Sequence, residues 1–295
     1  MKFAAIDIGS NAVRLLITNV YEETETPRFK KASLVRVPIR LGADSFTEGV
    51  ISGTKGKKLG QTMQAFKLLM DVHDVKSFRA CATSAMREAT NGQMIANEIF
   101  QQTGLQIEII PGTEEADIIF ANHFEEQMDV NAHYMYIDVG GGSTELTLFS
   151  QKKVVASSSF KIGTIRLLND MVTEDRWNRM KDWVNDKTKG LDSVKALGSG
   201  GNINKLYKMA EIPGSKPLIR TKLKALRDQI AALTFEERVV QLGMNLDRAD
   251  VIIPACDIFL QVTKWAKIKE IHVPEFGLSD GITRLLYEEY KKGSR

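Results

Sequence analysis

The stretch AIDIGSNAVRLLI (residues 5–17) decides the fold prediction. An apolar run reaches Asp7, a tight polar turn follows, and a β-leaning run begins at Val13, which is the pattern of two strands joined by a turn. The same pattern, apolar-Ile-Asp-apolar-Gly-small, returns 131 positions later in YIDVGGGSTELTLF (residues 136–149). This offset is nearly half the chain, so the repeat predicts two related domains that face each other.

The rest of the chain alternates between short apolar runs and helical patterns. This alternation predicts a mostly parallel sheet. Residues 223–242 form a helical region interrupted near Thr234, residues 251–267 begin as a strand-like run and continue as a helix, and residues 282–290 form the last helix. One amphipathic helix is marked by apolar side chains at spacings of three and four, namely Leu59, Met63, Phe66 and Met70.

The composition is that of a soluble globular protein. The 295 residues are 43% hydrophobic and 26% charged, which excludes a disordered tail, a collagen-like repeat and a small disulfide scaffold. The net charge of +3 gives no reason to expect nucleic acid as a partner. No stretch approaches the ~20 apolar residues of a membrane helix, so we expect no membrane partner.

The two cysteines, Cys81 and Cys256, each lie in an apolar stretch and outside any CxxC or His-rich cluster. A structural zinc site needs about four nitrogen or sulfur ligands at short spacing, so none is predicted. Asp7 interrupts the first apolar run too early for a signal peptide. We therefore expect two buried thiols in a protein of the reducing cytoplasm.

Three glycine-rich loops, at residues 7–11, 138–143 and 198–202, share one chemistry. Glycine lets backbone N–H groups turn toward an anion, and a following helix adds its dipole. The aspartate that begins two of the loops only accepts hydrogen bonds, so it suits a Mg²⁺ shell better than a phosphate contact. Three such loops in one chain favour a phosphate site over plain turns.

Other charged residues have two interpretations each. Glu114 and Glu115 open a helix after a Pro-Gly turn, where a carboxylate can also simply complement the helix dipole. Arg87 either is solvated or offers its planar fork to phosphate. Seven Lys and Arg residues stand against one acid between positions 205 and 227, as either a solvated face or a track for a polyanion.

Six motifs follow one another over nearly the whole chain: DIGSNAVRLLI (7–17), ATSAMREATN (82–91), IPGTEEADIIF (110–120), DVGGGSTELTLF (138–149), GSGGNINKL (198–206) and GLSDGI (277–282). In this order they resemble the exopolyphosphatase / guanosine pentaphosphate phosphatase (Ppx/GppA) family. That family shares a superfold with actin, sugar kinases and heat-shock chaperone ATPases. The resemblance implies an α/β fold of two ribonuclease-H-like domains with the active site in the cleft between them.

The same resemblance implies domain bounds and an activity. The domains would span residues 1–126 and 127–281, with the final helix, 282–295, packing back on the first. Family members use Mg²⁺ to release the terminal phosphate of inorganic polyphosphate, or the 5′ terminal phosphate of guanosine pentaphosphate. We therefore expect a Mg²⁺-dependent hydrolase of a polyanionic phosphate substrate, with exopolyphosphatase activity as the leading hypothesis. The alternatives are a guanosine pentaphosphate phosphohydrolase, a small-molecule kinase that uses ATP, and a non-catalytic nucleotide or polyphosphate sensor; a homodimer is left open.

The resemblance also assigns roles to individual residues. Glu115, the second glutamate of the EE pair, would orient and deprotonate the attacking water. Asp138 and Glu145, together with Asp7, would form the metal side of the site. The residues that would bind phosphate come from the three loops and from Arg87, and they are Gly9, Ser10, Asn11, Arg87, Gly140, Gly141, Gly142, Ser143, Thr144, Gly200 and Gly201.

The chain departs from the family pattern at a few positions. Ala12 stands where a serine is usual, Asn202 where many members have a hydroxyl residue, and Ser279 where a basic residue is common. Longer members append a helical domain, whereas this chain ends soon after Tyr290. The preferences for substrate length that such a domain carries are therefore not implied for this chain.

Overall fold

The computed structural model describes residues 1–23, 26–122, 128–214, 216–274 and 276–293. The chain divides into two compact units: a first unit, residues 1–123 with 276–295, and a second unit, residues 124–275. The division predicted from the sequence has its boundaries after residues 126 and 281.

The elements of the first unit are, in chain order, β1 (Lys2–Ile8), β2 (Val13–Tyr21), β3 (Arg28–Val37), α1 (Leu41–Glu48), α2 (Gly53–Val72), β4 (Ser77–Ala82), α3 (Ser84–Glu88), α4 (Gly92–Thr103), β5 (Ile107–Ile109), α5 (Gly112–Phe120) and, near the end of the chain, α13 (Leu278–Gly293). Its five strands form one sheet in the order β3-β2-β1-β4-β5. The β1–β2 and β2–β3 pairs are antiparallel, whereas β1–β4 and β4–β5 are parallel.

The core of the first unit follows from its apolar patterns. Strand β1 is central and is buried along nearly its whole length, as expected for a strand that is covered on both faces. Helix α2 confirms the predicted amphipathic helix, because its side chains at the predicted positions are buried. Helix α13 begins at Leu278, earlier than predicted, and packs on β1 and α5. A Cβ on Gly281 would overlap the carbonyl of Ile118 in α5, so this close approach requires glycine.

The elements of the second unit are β6 (His133–Val139), β7 (Thr144–Ser150), β8 (Lys153–Phe160), α6 (Thr164–Leu168), α7 (Glu174–Thr188), β9 (Val194–Ser199), α8 (Gly201–Met209), β10 (Leu218–Ile219), α9 (Arg220–Ala231), α10 (Phe235–Val240), α11 (Leu246–Ala249), α12 (Ile252–Trp265) and β11 (Glu270–His272). The six strands form a sheet in the order β10-β11-β9-β6-β7-β8. Apolar side chains from β6, β7 and β9 and from helices α7, α8, α9 and α12 form one core cluster.

The sequence repeat is confirmed as a repeat of topology. β6 and β7 form an antiparallel hairpin like that of β1 and β2, and each hairpin is extended by a third antiparallel strand and flanked by a parallel one. The prediction of a mostly parallel sheet is wrong, because both sheets are mixed. Alternating apolar runs do not distinguish hairpin strands from strands joined by a helical crossover.

Two further predictions concern helices of the second unit. The break near Thr234 is confirmed: Thr234 is the N-cap of α10, and it shares a reciprocal capping box with Glu237. The strand-like start predicted at residue 251 is wrong, because α12 is helical from Ile252 onward. Pro254 lies in the first turn of that helix, where a missing N–H leaves no helical bond unmade. Helices α6 and α7 were not predicted.

Cys81 and Cys256 are both buried with free thiols, as expected. Within the described ranges, no helix combines the length and the apolar character needed to cross a lipid bilayer.

Candidate active site

The first glycine-rich loop joins β1 to β2 and is held by backbone hydrogen bonds. The N–H of Gly9 donates to the carbonyl of Ala12 (3.2 Å). A Cβ on Gly9 would lie 3.2 Å from that same oxygen, so the tight turn favours glycine. The carbonyls of Ser10 and Asn11 accept N–H groups from residues 40–42, at 2.8 and 3.0 Å. Three predicted phosphate-binding residues therefore lie in one fixed turn at the carboxyl end of β1.

The short helix α3 connects this turn to the predicted catalytic glutamate. Ser84 Oγ, at the start of α3, lies 2.9 Å from Ser10 Oγ. Arg87 on the same helix donates from Nη1 to the carbonyl of Ile110 (2.6 Å), and the same nitrogen lies 3.9 Å from Glu115 Oε2. The structure therefore brings Ser10, Arg87 and Glu115 into one continuous set of contacts within the first unit.

The two adjacent glutamates of α5 have different surroundings. Glu114 accepts a hydrogen bond from Arg79 Nη2 (2.6 Å), and Arg79 also forms a two-nitrogen contact with Glu108. A hydrogen bond to Glu108 raises the pKa of Arg79 above its ordinary value. Burial opposes this shift, and the hydrogen bond to Glu114 adds to it. The Glu114 side chain is 40% exposed, whereas that of Glu115 is 14% exposed. Glu114 thus has a structural partner, and Glu115 is the more buried carboxylate beside Arg87.

Asp7, a predicted metal ligand, lies opposite Arg14 across the first hairpin. Arg14 Nη1 is 2.6 Å from Asp7 Oδ2, and Asp7 is almost fully buried. A cation already in contact with a carboxylate opposes the approach of a second cation to the same group. The geometry therefore places Asp7 in an ion pair with Arg14 through one of its oxygens, and its role as a metal ligand stays a prediction.

The second glycine-rich loop, between β6 and β7, closes in the same way as the first. The N–H of Gly140 donates to the carbonyl of Ser143 (2.9 Å), and a Cβ on Gly140 would lie 3.2 Å from that oxygen. Thr144 is fully buried, and its hydroxyl donates to the carbonyl of Ile162 (2.6 Å). The Thr144 hydroxyl thus holds the start of β7 against Ile162, two residues beyond the end of β8, and the predicted phosphate contact of Thr144 stays a prediction.

Asp138 and Glu145 lie directly opposite each other on β6 and β7. Cross-strand neighbours point to the same face with Cβ atoms roughly 4.5–5.5 Å apart, so the two carboxylates are close together. Ser159 on β8 donates its hydroxyl to Glu145 Oε1 (2.8 Å), and Ser199 lies beside Asp138 on β9. Four oxygen-bearing side chains therefore form a row across this sheet, at the carboxyl ends of β9, β6 and β8 and at the start of β7.

The donor set of Asp138 and Glu145 fits a hard divalent cation. Mg²⁺ in proteins is usually held by one or two carboxylates, with water and substrate phosphate oxygens completing its shell. In the described part of the chain, no group of three or more His, Cys, Asp or Glu side chains is gathered tightly enough to hold a metal ion. Asp138 and Glu145 thus form a carboxylate pair of the kind that can hold this ion.

The third glycine-rich loop lies beside the same carboxylates. Gly200 has a φ of 103°, which favours glycine, and it is the N-cap of α8. A Cβ on Gly200 would lie 3.2 Å from Asp138 Oδ1. The structure therefore brings Gly200 and Gly201, both predicted to bind phosphate, next to the carboxylate pair at the start of a helix.

The basic run does not form a uniform track in the structure. Lys205 donates to a backbone carbonyl (3.0 Å), and Arg227 forms a hydrogen-bonded ion pair with Asp257 (2.8 Å). Arg220 and Lys224 line a groove of ≈ 730 Å³ that also contains Arg227 and Asp257. The groove is mixed in charge, so the track for a polyanion stays a prediction.

Two arginines beside the glycine-rich loops, Arg14 in the first unit and Arg166 in the second, were not predicted from the sequence. A signal for Arg14 existed, because a tight hairpin turn at residues 9–12 places it opposite Asp7. Arg166 donates from Nε to the carbonyl of Gly142 (2.8 Å). No motif marked it, since the contact joins positions 24 residues apart.

Comparison with known proteins gives relatives over nearly the whole chain. Exopolyphosphatase 1 of Mycobacterium tuberculosis is 23% identical over an alignment of 304 residues. The alignment covers 96% of this chain and 87% of the relative. A bifunctional 3-dehydroquinate synthase/phosphatase of Fusobacterium nucleatum is 30% identical over 206 residues, which cover 66% of this chain. The match spans only 31% of that longer protein.

A solved structure has the same fold. The crystal structure of an exopolyphosphatase from Cytophaga hutchinsonii matches with a TM-score of 0.83 at 24% identity, over 99% of this chain and 98% of that one. Residues 29–290 match the model of the Ppx/GppA phosphatase family. Because this match covers most of the chain, the protein belongs to the Ppx/GppA phosphatase family.

Proposed function

We propose that this protein releases the terminal phosphate of inorganic polyphosphate by metal-assisted hydrolysis of a phosphoanhydride bond. The observation that carries the proposal is the carboxylate pair of Asp138 and Glu145 on adjacent strands, beside two glycine-rich loops. Catalysis of phosphoryl transfer consists almost entirely of positioning and charge neutralisation, and such a site supplies both. Membership in a phosphatase family supports water as the acceptor.

Glu115 is the proposed general base. It would accept a proton from the attacking water through its carboxylate, and a base in this role typically contributes ~10²–10⁴-fold to the rate. Arg87, whose Nη1 lies 3.9 Å from Glu115 Oε2, would orient that carboxylate and bind a phosphate oxygen with its other nitrogens. Glu114 is not part of the proposed reaction, because it is bound to Arg79.

The glycine-rich loops would bind the phosphoryl groups through backbone N–H donors. The proposal assigns this role to residues 9–11 in the first unit and to residues 140–143 in the second. Gly200 and Gly201 would add N–H groups from the start of α8. Fixed donors of this kind stabilise charge that develops on phosphate oxygens without having to reorganise during the reaction.

Asp138 and Glu145 would hold the metal ion, and Mg²⁺ is favoured because both ligands are hard oxygens. When bound, the metal neutralises negative charge on the phosphate groups of the substrate. Ser159 would keep Glu145 in position by donating to Oε1 (2.8 Å). Asp7 is left out of this set because Arg14 occupies one of its oxygens.

A second candidate substrate is guanosine pentaphosphate, from which the 5′ terminal phosphate would be removed. The matching family model names GppA beside Ppx, and the chemistry at the transferred phosphoryl group would be the same. Polyphosphate is the first choice because a relative that aligns with 96% of this chain is an exopolyphosphatase.

One assay distinguishes these candidates. The purified protein is incubated with Mg²⁺ and long polyphosphate, short polyphosphate, guanosine pentaphosphate or ATP, and the released phosphate is measured. Release from polyphosphate is the expected result. Release from guanosine pentaphosphate alone would replace the first candidate with the second. Transfer from ATP to a metabolite would identify a kinase, and binding without release would identify a sensor.

We also propose that the protein works in the cytoplasm. Two buried cysteines with free thiols support a reducing compartment. Cell fractionation tests the location, and light scattering of the purified protein tests whether it forms a homodimer.

A further inference from the structure

A four-residue segment of the second unit, residues 163–166, holds the back of the second glycine-rich loop. The N–H groups of Thr164 and Ile165 donate to the carbonyls of Gly140 (3.0 Å) and Gly141 (2.9 Å). The Nε–H of Arg166 donates to the carbonyl of Gly142 (2.8 Å). Three consecutive carbonyl oxygens of the loop are thus bound by three consecutive residues of the segment.

The approach of this segment to the loop is close enough to depend on a glycine. A Cβ on Gly163 would overlap the carbonyl group of Gly141 and the carbonyl carbon of Gly142. The contact is with backbone atoms, which do not move aside as the end of a flexible side chain would. Gly163 is therefore needed for the segment to lie directly against the loop.

The direction of the bound carbonyls determines the direction of the loop amides. In a trans peptide the C=O of one residue and the N–H of the next lie in one plane and point in opposite directions. Because the carbonyls of residues 140–142 point toward the segment, the N–H groups of residues 141–143 point away from it. Three consecutive N–H groups on one side of a turn are a concave anion-binding arrangement.

Arg166 is the charged member of this support. Only 4% of the residue is exposed, so its guanidinium lies beneath the loop and away from bulk water. The carbonyls of the first loop are likewise bound by backbone N–H groups, those of Arg40 and Gly42. The second loop thus combines the same backbone support with a buried positive charge on the side opposite to its amides.

From these contacts we infer that Arg166 is a positioning residue for phosphate binding in the second unit. Its hydrogen bond holds the Gly142–Ser143 peptide with the N–H toward the ligand, and its charge favours an anion on the other side of the loop. This inference rests on the proposed function, in that the anion is a phosphate group of the substrate or the released phosphate. Arg166 itself is not expected to touch the substrate.

The test compares Arg166→Met and Arg166→Lys with the wild type in the full-length protein. We expect Arg166→Met to raise the Kd for inorganic phosphate, measured by calorimetry, and the KM for polyphosphate by about 10-fold to 100-fold, because misplacement of a binding group by about 1 Å has effects of this size. Arg166→Lys keeps the charge but loses the planar Nε–H donor, so an intermediate increase is expected. Amide hydrogen exchange at residues 141–143 should become faster in both variants.

A matched control separates positioning from loss of stability. Arg238 also donates to backbone carbonyls of the second unit, those of Ile230 (3.0 Å) and Ala249 (3.1 Å), but it lies on α10, which carries no site residue. Arg238→Met should lower the melting temperature and leave the Kd for inorganic phosphate unchanged. Should Arg166→Met not fold, Arg166→Lys and Gly163→Ala make the same comparison.

The outcomes distinguish this inference from the proposed function. An active wild type, together with Arg166 and Gly163 variants that keep the wild-type Kd and KM, would overturn the inference alone. A wild type that neither binds nor hydrolyses any of the phosphate compounds would overturn both. Increased Kd and KM in the Arg166 variants, with Arg238→Met unchanged, would support the inference.

Discussion

Arg14 forms an ion pair with Asp7 (2.6 Å) at the place where the second unit has Glu145 opposite Asp138. The two hairpins have the same register and the same turn, closed by a hydrogen bond between the first and fourth turn residues. They differ in charge, because one cross-strand pair is neutral as a whole and the other consists of two acids. Since two adjacent carboxylates attract a divalent cation more strongly than a neutral pair does, we propose the second unit as the place of metal binding.

This assignment predicts unequal effects of replacing the two aspartates. Asp138→Asn and Glu145→Gln should each raise the Mg²⁺ concentration that gives half-maximal rate by about 10-fold or more, because each replaces a negatively charged ligand with a neutral amide. Asp7→Asn should change that concentration little, although it leaves Arg14 without its partner and lowers stability. The measurement is the rate of phosphate release as a function of Mg²⁺ concentration. An equal shift in Asp7→Asn and Asp138→Asn would return Asp7 to the metal site.

The two glutamates of α5 give a second prediction with a built-in control. Glu115→Gln should lower kcat by ~10²–10⁴-fold while substrate binding is retained, because the amide no longer accepts a proton. Glu114→Gln should keep kcat near the wild-type value and change the free energy of unfolding by at most about 1 kcal/mol, since its ion pair with Arg79 is partly exposed. Steady-state kinetics and urea unfolding of both variants test this pair. A large loss of kcat in Glu114→Gln would exchange the two roles.

Gly200 and Gly190 form another matched pair. Both have positive φ, 103° and 75°, so alanine at either position is strained, at a cost of roughly 1–3 kcal/mol. The Cβ at residue 200 would lie 3.2 Å from Asp138 Oδ1, whereas the Cβ at residue 190 would have nothing within 4 Å. Both variants should therefore lose stability. Only Gly200→Ala should also raise the Mg²⁺ concentration that gives half-maximal rate and lower the rate itself. Wild-type kinetics in Gly200→Ala would contradict the proposed position of the metal.

Burial raises the pKa of Cys256 to about 12, from an ordinary value of 9.0. The folded pKa is higher than the unfolded one, so the unfolded chain loses its proton first as the pH rises. The stability contributed by the buried thiol is complete below about pH 9 and is lost between pH 9 and 12, by about 1 kcal/mol per pH unit.

Urea unfolding at pH 8, 9 and 10 tests the Cys256 prediction. Other groups also titrate in this range, so the comparison is with Cys256→Ala, which lacks the thiol. The difference in the free energy of unfolding between the wild type and Cys256→Ala should become smaller as the pH rises. Parallel pH dependences for the two proteins would show that the thiol does not contribute in this way.

Much of the fold was predictable because its signals are local. The turn at Gly9 and its copy at Gly140 are visible as a glycine two residues after an aspartate that ends an apolar run, since a four-residue turn depends only on its own backbone. The capping box at Thr234 is likewise contained in a few residues. The mixed direction of the strands was not predictable in this way, because strand pairing depends on residues that are far apart in the sequence.

The sequence by itself determined the repeated hairpins, their aspartates and the glycines that let the loops close. Only the tertiary structure decided which polar groups around them have partners. Glu114 is bound by Arg79 whereas Glu115 lies near Arg87, Thr144 is turned inward, and Arg166 supports a loop 24 residues away. The reason is physical: backbone turns depend on neighbouring residues, whereas a hydrogen bond or ion pair depends on which distant segment packs against the side chain.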